Sequence, residues 1–182
     1  MVGISDSHRR VCDRVRRWAE TWPNVRAGLA LTGIAGSGKT HLAVALLQRI
    51  VVERQATRRA RFVFLPQLMR EIQASWKDPD RTEEAILAEV CGVELLVLDQ
   101  LGAEASGAWV QERVEHILTR CFDGGGSLVT TSIYPIEPAG AGMALDERTS
   151  GSVVSLLKEA CRVVKMPEDD YRDTVLKHGQ DL

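Results

Sequence analysis

Apolar residues recur along this chain in two rhythms. Short unbroken runs come first: Leu29-Ala30-Leu31-Thr32, Phe62-Val63-Phe64-Leu65, Leu95-Leu96-Val97-Leu98, Leu128-Val129 within Ser127–Ser132, and Val163-Val164 within Arg162–Met166. The segments of four to six residues that carry these runs, bounded by polar or glycine-rich stretches, predict strands, those of Phe62–Leu65 and Leu95–Leu98 buried. Between them the spacing lengthens to that of helices. Val11, Val15, Trp18 and Ala19 predict a short amphipathic helix that stops before Trp22-Pro23-Asn24. The stretch from about Lys39 to Arg54 is apolar almost all round through Leu47, which predicts burial on two sides. Leu68, Ile72 and Trp76 stripe a helix over Pro66–Trp76, which Asp78-Pro79-Asp80 breaks. Thr82 is placed to cap a further helix to about Val90, with Glu83 and Glu84 in its first turn. Val110, Val114, Ile117, Leu118 and Cys121 stripe the next, closed by Gly124-Gly125-Gly126, and a last helix runs from Gly151 to Ala160. Strands alternating with helices predict an α/β fold: a five-stranded parallel sheet with helices on both faces, its ligand at the carboxyl ends of the strands.

Composition narrows the class. At 182 residues with 45% apolar residues the chain reads as one domain with a real core, 1–182. Within it, 1–27 is a basic helix and linker, 28–172 the core and 173–182 a polar tail. No apolar run approaches the roughly 18 residues of a membrane span and the first residues lack a leader pattern, so a cytoplasmic protein with no membrane partner is expected. Cys12, Cys91, Cys121 and Cys161 are scattered and form no C-x-x-C, which predicts reduced, mostly buried thiols and no zinc site. The net charge of −2 conceals an asymmetry: residues 1–61 carry twelve Lys/Arg against four Asp/Glu, residues 62–182 eleven against twenty-one. Such a split suits nucleic-acid contact, head-to-tail packing of copies, or two solvated faces. Arg54, Arg58, Arg59 and Arg61 are the first basic candidates for DNA phosphates and the arginines of the N-terminal helix the second. With so few aromatic residues, phosphate contact rather than base stacking is expected.

The chemistry begins at Gly33-Ile34-Ala35-Gly36-Ser37-Gly38-Lys39-Thr40, a complete G-x-x-x-x-G-K-T between strand and helix and followed by His41. Glycines let backbone N–H groups close on an anion, and the helix N-terminus beyond favours negative charge. Lys39 reaches the outer phosphates of a nucleoside triphosphate and the Thr40 hydroxyl suits Mg²⁺. Asp99, the acid that closes the third apolar run, supplies the carboxylate for the metal. After it comes Gln100, an amide that can orient water and cannot take its proton. Glu104 reads either as a second acid or as a solvated loop charge. Thr131 and Ser132, ending the fourth strand, are placed to sense the γ-phosphate. Arg148 reads either as an arginine finger for a neighbouring subunit or as a surface arginine. A small-molecule kinase is disfavoured, since no arginine-rich lid is evident.

These residues, with Leu101-Gly102-Ala103-Glu104, Glu147-Arg148-Thr149 and Cys161-Arg162-Val163-Val164 leading to Asp170-Tyr171-Arg172, resemble the IstB/DnaC group of AAA+ ATPases. The resemblance implies a P-loop NTPase with an AAA+ core that binds ATP and Mg²⁺ between subunits of an ATP-dependent homo-oligomer. It further implies contact with single-stranded or duplex DNA and delivery of a replicative helicase or a transposase. The chain departs from the group's usual pattern at Gln100, where a second acid is usual, at Ser132, where asparagine is usual, and at Ser152, where the finger arginine is usual. No N-terminal partner-binding domain and no C-terminal lid domain are expected. The residue departures weaken hydrolysis and spare binding, which implies a slow ATPase used as an assembly switch or, alternatively, a degenerate non-hydrolysing scaffold subunit.

Overall fold

The computed structural model describes residues 6–25, 27–54, 59–104, 107–137 and 143–168. Arg58, the Asp170-Tyr171-Arg172 segment and the 173–182 tail lie outside the described residues, as does the side chain of Arg54. Helix α1 (Asp6–Thr21) precedes β1 (Gly28–Thr32), and α2 (Lys39–Arg54) precedes β2 (Ala60–Phe64). Two helices, α3 (Leu65–Ser75) and α4 (Glu83–Cys91), lead to β3 (Leu95–Asp99). Then come α5 (Ala108–Asp123), β4 (Ser127–Ser132), a 3-10 turn (Leu145–Glu147), α6 (Gly151–Ala160) and β5 (Cys161–Lys165). All five strands are parallel, in the order β2-β3-β4-β1-β5.

The three inner strands are buried almost throughout, which is why β1 and β3 read as near-continuous apolar runs, whereas β4 carries only Leu128 and Val129 among buried hydroxyl residues. Alternate residues feed two cores. Ala30, Leu96, Leu98 and Leu128 face α3, α4, α5 and α6, whereas Leu29, Leu31, Leu95, Val97 and Val129 face α1 and α2. Helix α1 is part of the second core: Val11, Val15, Trp18 and Ala19 are buried there, and the Trp18 indole donates to the Ala27 carbonyl at 2.7 Å. Among the described residues no helix is long and apolar enough to cross a membrane.

Three expectations are corrected. Helix α2 is buried on one face, through Ala43, Leu46 and Ile50, with His41, Ala45 and Gln48 exposed. Small apolar residues such as alanine cost little in water and so blur a stripe. Helix α3 starts one residue earlier and ends at Ser75, leaving Trp76 outside the stripe and 60% exposed, its ring edge-on to Trp109 at 5.1 Å. Of the cysteines, Cys121 and Cys161 are buried, Cys91 is half-buried and Cys12 is exposed. Burial pushes the thiols of Cys121 and Cys161 up to about 12. Iodoacetamide at pH 8 should therefore leave Cys121 and Cys161 intact in the folded chain while Cys12 reacts, read by peptide mass spectrometry. Rapid labelling of Cys161 would contradict its place under α6.

Candidate nucleotide site

The strand order sets the site. β4 lies between β1 and β3, so the loop after β1 and the acid closing β3 face each other across the end of β4. The strand that carries the acid is thus one removed from β1 rather than its immediate neighbour. In register, Leu31 sits beside Thr131 and Leu98 beside Thr130. Thr40, on the first turn of α2, donates its hydroxyl to Asp99 Oδ1 at 2.9 Å across 59 residues of chain. Thr131 donates to the same oxygen at 2.7 Å and accepts the Gln100 amide at 3.0 Å. Asp99 is 2% exposed, so these two hydroxyls fix the orientation of its carboxylate.

The loop 33–40 curls round its own lysine. Lys39 Nζ donates to Gly33 O at 2.7 Å, Ile34 O at 2.6 Å and Ser37 Oγ at 3.3 Å, and the side chain is 8% exposed. Gly33 has a φ of 151°, and a Cβ there would stand 2.9 Å from Cβ of Met166, which follows β5 and hydrogen-bonds through its amide to Thr32 O. Gly36 and Gly38 also hold positive φ, 78° and 88°. His41 is exposed at the start of α2. The arrangement of backbone turn, helix N-terminus and cation fits a phosphate chain. One hydroxyl and one carboxylate at hydrogen-bond distance are hard oxygen donors that fit Mg²⁺ shared with phosphate oxygens. No cluster of three metal-ligating side chains occurs among the described residues.

The remaining candidates sit differently from one another. Gln100 is exposed and adopts φ 64°, a left-handed conformation that costs a non-glycine residue roughly 1 kcal/mol. Ser132 is 2% exposed, donates to Leu101 O at 2.8 Å and accepts from the Tyr134 amide at 3.0 Å. Its hydroxyl braces the loop after β3. Glu104 is 5% exposed, which corrects the expectation of a solvated charge. Burial pushes its carboxyl up, partly offset by hydrogen bonds from backbone N–H groups, Gly102's among them, and by the charge of Arg148. Arg148 is half-buried and turned onto its own chain, donating to Gly102 O at 3.1 Å and Glu104 O at 3.3 Å. It is neither a loose surface arginine nor extended away from the subunit. Sequence reasoning missed the partners Tyr134 and Met166, for which no local signal existed.

The basic candidates lie elsewhere. Arg59 pairs with Glu94 and stands over the Trp22 ring at 5.7 Å, and Arg61 is 3.4 Å from Glu89. The Glu94 and Leu95 amides bond to Arg59 O, so Arg59 marks the amino ends of the strands, away from the phosphate loop.

A five-stranded parallel sheet in this order, with a glycine-rich loop after β1 and an acid at the end of β3, defines a P-loop NTPase with an AAA+ core. The chain belongs to the family of IstB-like ATP binding proteins, which matches residues 9–178. It is 31% identical over 118 residues to the replicative helicase loader DnaI of Bacillus subtilis (62% of this chain, 36% of that one). It is 22% identical over 107 residues to the replicative helicase loader DnaC of Escherichia coli K12 (59% and 42%). The chain thus matches well under half the length of these curated relatives. A crystal structure of the DnaC helicase loader superposes with a TM-score of 0.77 at 25% identity, covering 90% of this chain and 92% of that one. AMPPCP-bound DnaA of Aquifex aeolicus superposes with a TM-score of 0.76 at 18% identity, covering 98% and 53%, a likeness of fold alone.

Proposed function

We propose that this protein binds ATP with Mg²⁺ in the cleft between the 33–40 loop and Asp99, hydrolyses it slowly, and uses the bound state to control assembly on DNA with a partner. The observation that carries the reading is the meeting of Thr40 and Asp99 at 2.9 Å, with Lys39 held in the loop beside them. Gly33, Ile34, Ala35, Gly36, Ser37, Gly38 and His41 complete the phosphate cradle, and Thr40 and Asp99 hold the metal. Mg²⁺ would neutralise charge on the β- and γ-phosphates. The kinship with helicase loaders supports a role in replication through a replicative helicase. A transposase is the other candidate partner, in keeping with the IstB-like family. ATP-dependent self-association and contact with single-stranded or duplex DNA belong to the same reading. A solved neighbour, DnaA, is described as bound to AMPPCP and single-stranded DNA. A pull-down with ATP and DNA present, identifying helicase or transposase, tests the partner.

Slow turnover follows from Gln100, the only side chain directly after Asp99, which offers an amide where a base is needed, and from the committed hydroxyl of Ser132. Steady-state phosphate release, with and without single-stranded DNA, is expected well below the ordinary enzyme rate of about 10 s⁻¹. A rate of that size would overturn it. A second reading, a non-hydrolysing scaffold, is favoured by the same residue. Gln100→Glu separates the two: hydrolysis gained by the variant from a silent parent identifies the scaffold.

A further inference from the structure

Arg148 lies 44 to 46 residues beyond the carbonyls it holds, and its described neighbours are anchored by hydrogen bonds. Its own turn is fixed by the Leu145 amide on Pro135 O at 2.9 Å, the Ala144 amide on Glu147 Oε1 at 2.8 Å and the Thr149 hydroxyl on Leu145 O at 3.1 Å. From there the guanidinium sends Nε to Gly102 O and Nη2 to Glu104 O, with the Tyr134 ring 5.6 Å from its centre. Glu104, almost fully buried, takes the Gly102 amide on Oε2 at 2.8 Å. The Gly102 peptide groups are therefore gripped from both sides, the amide by Glu104 and the carbonyl by Arg148. Two residues upstream Gln100 holds its left-handed backbone against Thr131, whose hydroxyl in turn orients Asp99.

The geometry points to Arg148 as a positioning residue of the nucleotide site in its own chain: it clamps the Gly102–Glu104 turn and so fixes Gln100 beside Asp99. This rests on the nucleotide reading of the site. The planar fork matters because Nε and Nη2 meet two carbonyls in a fixed geometry while the same plane lies near the Tyr134 ring, an arrangement that the point charge of a lysine on its flexible stem does not reproduce. A turn carrying a left-handed glutamine relaxes unless its neighbours over-determine it. Arg148 is consequently spent in cis. With Ser152 four residues on, this turn of chain presents no second arginine to a neighbour.

The test compares wild type, Arg148→Ala, Arg148→Lys and Tyr134→Leu by three measurements. Amide hydrogen exchange, which needs no nucleotide, is expected to speed up about tenfold at Gln100 and Gly102 in both Arg148 variants while Val97 and Leu98 keep their protection. Affinity for a fluorescent ATP analogue with Mg²⁺ should stay within about threefold of wild type, while single-turnover hydrolysis falls about tenfold. Mixing Arg148→Ala with Lys39→Ala chains should restore nothing. Tyr134→Leu, which spares the arginine and removes its platform, should show the same pattern at about a third of the size and serves if Arg148→Ala does not fold. Unchanged exchange at Gln100, a wild-type Arg148→Lys, or hydrolysis restored on mixing would each overturn the proposal, the last by making Arg148 a neighbour's residue. Failure of wild type to bind the analogue would instead sink the nucleotide reading and leave the exchange result standing as the measure of the clamp.

Discussion

Lys39→Ala is expected to weaken ATP binding in the presence of Mg²⁺ by about 100-fold, close to 2.8 kcal/mol at 1.4 kcal/mol per tenfold. The lysine is 8% exposed, and its ammonium is held by two carbonyls and a hydroxyl of the loop it belongs to. On the proposed reading, removing it deletes the charge available to the outer phosphates and also the post round which residues 33–37 are wound. Both losses are expected to fall first on binding, because the loop stands at the carboxyl edge of the sheet, beside Asp99. A fluorescence titration checks the affinity, and thermal denaturation checks the same claim from the other side. Ligand that binds only the folded state adds about 2.7 kcal/mol at a hundred times its dissociation constant. The variant at that same ATP concentration, now near its own dissociation constant, should gain only about 0.4 kcal/mol. Equal affinities for the two chains would remove ATP from the account.

How much of this was legible beforehand depended on how far apart the partners lie in the chain. The 33–40 loop is eight consecutive residues, so its tight glycine turn at the start of α2 is written in one place. The position of Asp99 was legible for a related reason: an acid that closes a buried strand stands at the carboxyl edge of a parallel sheet, where Thr40 meets it. The sheet came through because its inner strands are covered on both sides and are apolar except for hydroxyl residues whose side chains are hydrogen-bonded within the fold, as at Thr130, Thr131 and Ser132. Thr131 was placed at the right edge, but its hydroxyl serves Asp99, a partner 32 residues away that only the pairing of β3 with β4 supplies. Glu104 and Arg148 were each read from immediate neighbours, which say nothing of a contact spanning more than forty residues. The same limit hid the aromatic pair. Trp76 fits the helical period of Leu68 and Ile72, yet α3 ends before it, and Trp109 arrives from α5. For Arg59 and Arg61 a count of arginines leaves out Glu94 and Glu89, which lie 35 and 28 residues on and pair with them. The 3-10 turn that carries Arg148 is three residues long, too short for any period to show.

Gly28→Ala is expected to cost about 3 kcal/mol of folding stability, the upper end for overpacking a core. Nothing in the sequence marks this glycine, which merely opens the first apolar run. In the folded chain β1 lies between β4 and β5, and a Cβ at Gly28 would stand 2.3 Å from Leu128 O and 2.9 Å from Cys161 Sγ. The thiol has room to rotate, but the carbonyl is backbone in the strand next door. It can yield only if β1 parts from β4. That separation would disturb the register from Leu29–Val129 to Thr32–Ser132, the same pairing that holds the 33–40 loop opposite Asp99. Lost stability should therefore be accompanied by weaker nucleotide binding, a coupling that an ordinary core cavity far from the loop would not produce. Gly151→Ala is the control. It adds the same methyl at the first turn of α6 with nothing within 4 Å, and should be neutral or stabilise by roughly 0.5 kcal/mol. Urea denaturation of the three chains gives the comparison. A Gly28→Ala chain with the midpoint of wild type would mean that β1 does not pass as closely beside β4 as the pairing of these strands requires.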